Sequence, residues 1–266
     1  MSMGGVGSPG AGASVLRLRK NVNNLSADEL AAFRQAIATM MRLGDNRGYN
    51  YQAGIHGVPQ FYCMHNVELW LAWHRAYLYF FELFLEDQGA GVTLPWWDWT
   101  STSSHTDGMP SAYTDTIDPS GNSNPLLKAS IQVMNPQPGW PTETSRNPDD
   151  PANLPSADDV NAILALTSWP DFWLQSVQPH NQVHVWVGGT MGVVPWSSYD
   201  PVFWAHHCMV DRLWYLWQVK NPGGGPDPAT LAKPLPPFNV TVGDVMDIRR
   251  LGYGYASSEI VISGVS

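Results

Sequence analysis

Six of the eight histidines fall in two groups of three: His56, His65 and His74, then His180, His184 and His207. Each group ends on an aromatic-rich run, residues 70–86 and 203–220, that reads as a buried helix. Burying imidazole without a partner is costly, and three imidazoles converging from one neighbourhood offer a site for a soft or borderline metal. Two such triads predict a metal pair, and ligation by nitrogen alone predicts copper. A di-iron bundle would supply mainly carboxylates, with Glu-x-x-His pairs, and no Glu-x-x-His occurs in the sequence. A hydrolytic metal pair would want bridging Asp or Glu. One histidine alone is as easily a core residue as a ligand; six at these spacings are not.

The chain has 266 residues, long for a single domain but within the reach of one core, and its apolar fraction of 44% is ordinary. Its 13 tryptophans are not, and most lie close to the histidines. The net charge of −9 gives no support for nucleic-acid or anionic-membrane binding. Residues 1–14, rich in Gly, Ser and Ala, read as a flexible tail and not a signal peptide, leaving 15–266 as one catalytic domain. The expected location is cytoplasmic, with export on a partner protein as the alternative. The most apolar stretch, 69–85, is interrupted by His74, Arg75 and Glu82, so it suits a core helix and not a membrane span. Cys63 and Cys208 are the only cysteines, and a chain of this size does not need a lone disulfide. The sequon at 239–241 reads as accidental.

The first helix opens at Ser26, whose capping box with Glu29 precedes one apolar face of Leu30, Phe33, Ile37, Met40 and Met41, and it ends at Gly44. A second spans about 68–86. Residues 101–155, rich in Ser, Thr, Asn, Asp and Pro, show no sustained period and read as a surface excursion in which His105 is solvated. A short helix is expected near 157–166. Another starts at Pro179 and stops at Gly188, and the last runs from Asp200-Pro201 to Lys220. Short alternating runs at 240–242 and 260–262 suggest strands.

His180 and His184 are one helical turn apart and can share a metal. His206 points about 100° away from His207, so only one of the two faces the site. His207 is the choice, since it shares its face with Asp211, placed to hold the imidazole or a nearby backbone group, and with Trp214. His65 and His74 are nine residues apart, opposite sides of any one helix, so His65 belongs to the approach and His74 to the helix itself. His56 completes the first triad from the loop 54–59. A thiol two residues before a copper-bound imidazole could become attached to the ring; Cys63 as a small buried hydrophobe is the plain alternative, and spacing does not choose between them. Cys208 reads as core.

The runs Cys63-Met64-His65 with Trp70 to Glu82, and Asp200-Pro201 through His207 to Asp211, resemble the two copper signatures of the tyrosinase family of type-3 copper proteins. His180 to His184 supply the remaining ligand pair, and the resemblance covers about residues 17–256. It implies a mainly α fold, a central four-helix bundle holding a dinuclear copper site, with long irregular loops and a few short strands. Each of two copper ions would be held by three histidine Nε2 atoms, with dioxygen as co-substrate and a small phenol as substrate. Arg19, Lys20, Tyr253 and Tyr255 are similar to elements the family uses to tie its chain ends together. Trp70 stands where the signature usually has Phe. The Cys-x-His spacing is similar to that of fungal and molluscan members whose cysteine sulfur is bonded to the histidine ring, implying a Cys63–His65 thioether.

In resembling bacterial enzymes an acidic side chain before the first histidine of the second site, with an Asn just after it, holds an activating water. Asn181 is in that place and Asp171 is the best acidic candidate, one methylene shorter than the usual Glu. Val194 corresponds to a position near the site entrance. The family's bulky C-terminal lid domain is not expected here. The implied activity is that of a tyrosinase, ortho-hydroxylating monophenols and oxidising o-diphenols to o-quinones. The alternatives are an o-diphenol (catechol) or o-aminophenol oxidase, a haemocyanin-like dioxygen carrier and, most distantly, a non-catalytic metal-binding protein. A copper-delivery chaperone is the one protein partner in view, and the oligomeric state stays open.

Overall fold

A computed structural model describes residues 16–65, 67–89 and 91–256. The tail at 1–14 and the run at 260–262 lie outside the described residues. Helix α1 (Ala27–Arg42) begins as expected: Ser26 Oγ accepts from the Glu29 N–H while Glu29 reaches back to Ser26 N–H. It packs on α2 (Tyr49–His56) and on α3 (Trp70–Glu86). The excursion at 101–155 contains two short helices, α4 (Thr102–Asp107) and α5 (Ser111–Thr114), and two isolated bridges. Arg146 pins it down, forking onto Asp200 and donating to the carbonyls of Tyr113 and Leu126. His105 is half-buried, its Nε2 3.1 Å from the Pro155 carbonyl, and not simply solvated.

Helix α6 (Ala157–Leu164) leads into α7 (Trp169–Val187). The start expected at Pro179 is wrong by ten residues. Ser168 caps the helix and Pro170 fits its first turn, a stronger beginning than Pro179, which sits inside the helix at the cost of one backbone hydrogen bond. Then come α8 (Val194–Ser197), α9 (Val202–Lys220) and α10 (Pro228–Leu231). No strand forms at 240–242, where a single bridge joins Pro234 to Thr241. Two short strands, β1 (Arg17–Arg19) and β2 (Tyr253–Tyr255), pair in parallel and bring the described chain ends together. Among the described residues no helix is long and apolar enough to cross a membrane.

The bundle consists of α2, α3, α7 and α9. Between α3 and α9 lies a buried ionic cluster. Arg19 forks onto Glu82 at 3.1 and 2.9 Å and reaches Asp211 at 3.2 Å, while Arg75 donates to Asp211 at 2.5 Å. Tyr253 and Tyr255 each donate a hydroxyl to Asp211 at 2.7 Å. The two guanidiniums hold the Asp211 carboxyl below its ordinary range despite its burial. Asp211 is thus saturated by arginine and tyrosine donors and does not hold His207. Removing this carboxylate would leave two buried guanidiniums short of a partner, a loss on the order of 3–5 kcal/mol.

Candidate metal centre

The second triad is built almost wholly from helices. His180 and His184 project from one face of α7, and His207 faces them from α9. Their Nε2 atoms converge, that of His184 lying 3.1 Å from His180 and 3.2 Å from His207. Nδ1 of His184 is 2.9 Å from the Met191 carbonyl, and Nδ1 of His180 is 2.9 Å from Oδ1 of Asn181. Both partners can only accept, so Nδ1 carries the proton and the Nε2 lone pair is left free for a metal. His206 lies beside this group with its ring stacked on His180, centroids 5.3 Å apart.

The first triad draws on three different segments. His74 stands on α3, its Nδ1 bonded to the Trp70 carbonyl at 2.7 Å, one turn back. His56 is the last residue of α2, not part of a loop. The glycines that suggested a loop serve close packing instead: a Cβ at Gly54 would lie 2.8 Å from Pro59, and one at Gly57 only 2.1 Å from the Pro195 carbonyl. That second contact lays the Pro195 backbone against the end of α2, where its carbonyl also accepts from the Val58 N–H at 3.2 Å. His65 comes from the connection, as expected. Cys63 Sγ lies 2.9 Å from Nδ1 and 3.5 Å from Nε2 of His65, alongside the ring edge that carries Cε1, and 3.7 Å from Nε2 of His74.

The triads face one another. The rings of His74 and His207 stack at 4.5 Å and 14°, and those of His65 and His180 lie 5.8 Å apart. Burial lowers the pKa of every one of the six, with His65 and His184 each brought to about 4 and the other four well below the usual imidazole value. All six are therefore neutral at pH 7, the form that binds metal. A buried, carboxylate-free set of six neutral imidazoles suits a pair of copper ions.

His65 and His184 are half-buried, whereas His56, His74, His180 and His207 are buried; Val193 and Val194, which follow α7, are 46% and 44% exposed. A surface groove of about 1010 Å³ between α1 and residues 118–125 is lined by none of the histidines. The structure does not bring Asp171 to Asn181. Asp171 is exposed on the first turn of α7, and the unbroken helix puts it about 13 Å along the axis from His180 and on the opposite face. A helix starting at Pro179 leaves Asp171 in a free connection, whereas one starting at Trp169 fixes its direction.

Residues 46–220 match the family model described as the common central domain of tyrosinase. The chain belongs to the tyrosinase family. It is a type-3 copper protein by that membership, and the two histidine clusters fit the dinuclear site. The tyrosinase of Streptomyces glaucescens is 30% identical over 271 residues, 87% of this chain and 96% of that protein. Units G and H of a Sepia officinalis hemocyanin are 32% identical over 224 residues, 76% of this chain but 38% of that protein. A solved functional unit of Octopus hemocyanin superposes with a TM-score of 0.78 at 30% identity, over 90% of this chain and 67% of that one. Aspergillus oryzae pro-tyrosinase shares the fold, with a TM-score of 0.76 at 21% identity over 93% of this chain and 72% of that one.

Proposed function

We propose that this protein is a copper-dependent phenol oxidase that uses dioxygen to oxidise o-diphenols to o-quinones and, more slowly, to hydroxylate monophenols. The observation that carries this reading is the convergence of six neutral imidazoles, two of them, His65 and His184, only half-buried and so within reach of a small substrate. Two copper ions held by the triads would supply dioxygen binding and accept electrons from the phenol. The protein's own residues do the rest. Carbonyls of Trp70 and Met191, with Asn181, fix three rings by Nδ1, and burial keeps all six uncharged.

A thioether between Cys63 and His65 belongs to the same reading. Sγ would bond to Cε1 as its S–H and the ring C–H are lost, and the two protons and two electrons released would reduce one dioxygen to hydrogen peroxide. The close approach of the sulfur to the ring edge supports it.

The balance between the two activities follows from the proton. A free phenol, with a pKa near 10, is only about a thousandth ionised at pH 7. The donor clusters of the centre contain histidine and cysteine but no carboxylate among the described residues. That favours o-diphenol or o-aminophenol oxidation over hydroxylation. Oxygen uptake by the copper-loaded protein with tyrosine, catechol and o-aminophenol in parallel tests the reading. Catechol consumption faster than tyrosine consumption is expected. Reversible dioxygen binding with no uptake on any phenol would make the protein a carrier like the hemocyanins it resembles.

A further inference from the structure

Trp70 touches both halves of the metal centre. Its ring centroid lies 5.9 Å from that of His74 and 5.0 Å from that of His180, and the side chain is 1% exposed. Among the described residues it is the one tryptophan in ring contact with ligands of both triads. Phe203 also bridges them, but a phenyl ring is far harder to oxidise than an indole. The Trp70 indole N–H donates to the backbone carbonyl of Trp173 at 3.2 Å. Trp173 itself is half-buried on α7, packed on the core.

We propose that Trp70 and Trp173 form an outlet for oxidising equivalents. When no phenol is bound, an electron vacancy created at the centre passes through Trp70 to Trp173, where a soluble reductant fills it. This rests on the reading of the centre as a copper- and oxygen-dependent oxidase. Indole suits the task because an oxidised tryptophan can keep its N–H, and a carbonyl facing that N–H stabilises the added positive charge. Tyr77, stacked near His56, is less suited. Its hydroxyl donates to the Gln52 carbonyl at 2.7 Å, and a carbonyl cannot take up the proton that an oxidised tyrosine must release.

The electron count closes with hydrogen peroxide as the oxidant. Its reduction to two waters takes two electrons and two protons. An o-diphenol supplies both pairs on becoming a quinone. Without it, the two electrons enter one at a time by way of Trp173 and Trp70, each supplied by a donor of the enediol or thiol class that also releases a proton.

The test exposes copper-loaded protein to hydrogen peroxide without phenol and maps oxidised tryptophan by peptide mass spectrometry, alongside copper content and catechol oxidation. Oxidation should concentrate at Trp173. Trp70→Phe should cut it severalfold at unchanged copper content and move damage to peptides carrying the ligands. Trp173→Phe, at a half-buried position, should make the marks accumulate on Trp70. Added enediol should protect the parent protein and not Trp70→Phe. Equal oxidation of Trp173 in the parent and Trp70→Phe, or in metal-free protein, would overturn the outlet and leave simple exposure as the cause. A protein that binds copper and oxidises catechol yet shows this fails the outlet alone. One that takes up no copper or leaves catechol untouched fails the oxidase reading, and the outlet with it.

Discussion

His180, His184 and His207 stand on two long helices, with Nε2 of His184 3.1 Å from that of His180 and 3.2 Å from that of His207, whereas His56, His65 and His74 come from a helix end, a connection and a third helix. In the helical triad the backbone fixes each ring's starting direction, and one hydrogen bond at Nδ1 suffices to finish its aim. In the other, His65 has no helix behind it and no oxygen acceptor at Nδ1; a sulfur atom occupies that edge instead. The difference teaches that one chemical unit can be held by secondary structure in one place and by a local side-chain contact in another. The second arrangement depends on Cys63, the first on the packing of α7 against α9.

The largest effect should come from breaking the helical triad. His207→Ala is expected to halve the copper content and abolish phenol oxidation, while His206→Ala, at a ring that stacks on His180 beside the triad, should be much milder. Copper analysis of the two variants decides it, and metal loss in His206→Ala would reverse the assignment.

A pH series comes next in size. His65 and His184 have folded-state pKa values of about 4, against 6.5 for the free side chain. An unfolded chain therefore takes up protons below pH 6.5 that the folded, metal-free chain refuses. The stability these rings confer is full above that value and is lost as pH falls toward 4. Urea unfolding midpoints of the metal-free protein should fall between about pH 7 and pH 5; a flat profile would mean the rings are not kept neutral by burial.

Cys63→Ser probes the weaker-built triad alone. Copper should still bind, because sulfur is not a ligand in this arrangement, but the first site should release it faster under a chelator than the second. Intact mass of the copper-loaded parent should be two hydrogens below the sum of its residues, and a freely alkylatable Cys63 in active protein would exclude the bond.

The smallest effect is expected from Asp171→Asn. Far from both triads, it should leave tyrosine and catechol rates unchanged. A selective loss of tyrosine hydroxylation would show that α7 rearranges to bring this carboxylate to Asn181.

Residue order alone was enough to mark six histidines that cluster in the fold, the i, i+4 pair, the capped start of α1 and the two buried aromatic helices, because helical periodicity and the cost of burying imidazole are local properties. The pairing of chain ends through Arg19 and Tyr253–Tyr255 was legible too, by resemblance. What lay beyond it were long-range contacts. Gly54 and Gly57 look like loop punctuation until Pro59 and Pro195 are seen pressed against them, and only that contact makes His56 a helix residue. Asp211 looks like a partner for His207 until two arginines and two tyrosines, from positions up to 192 residues away, converge on its oxygens. Asp171 looks like a neighbour of Asn181 until α7 proves continuous. A spacing in sequence fixes direction only inside one regular element, and where elements meet, packing decides which groups share a site.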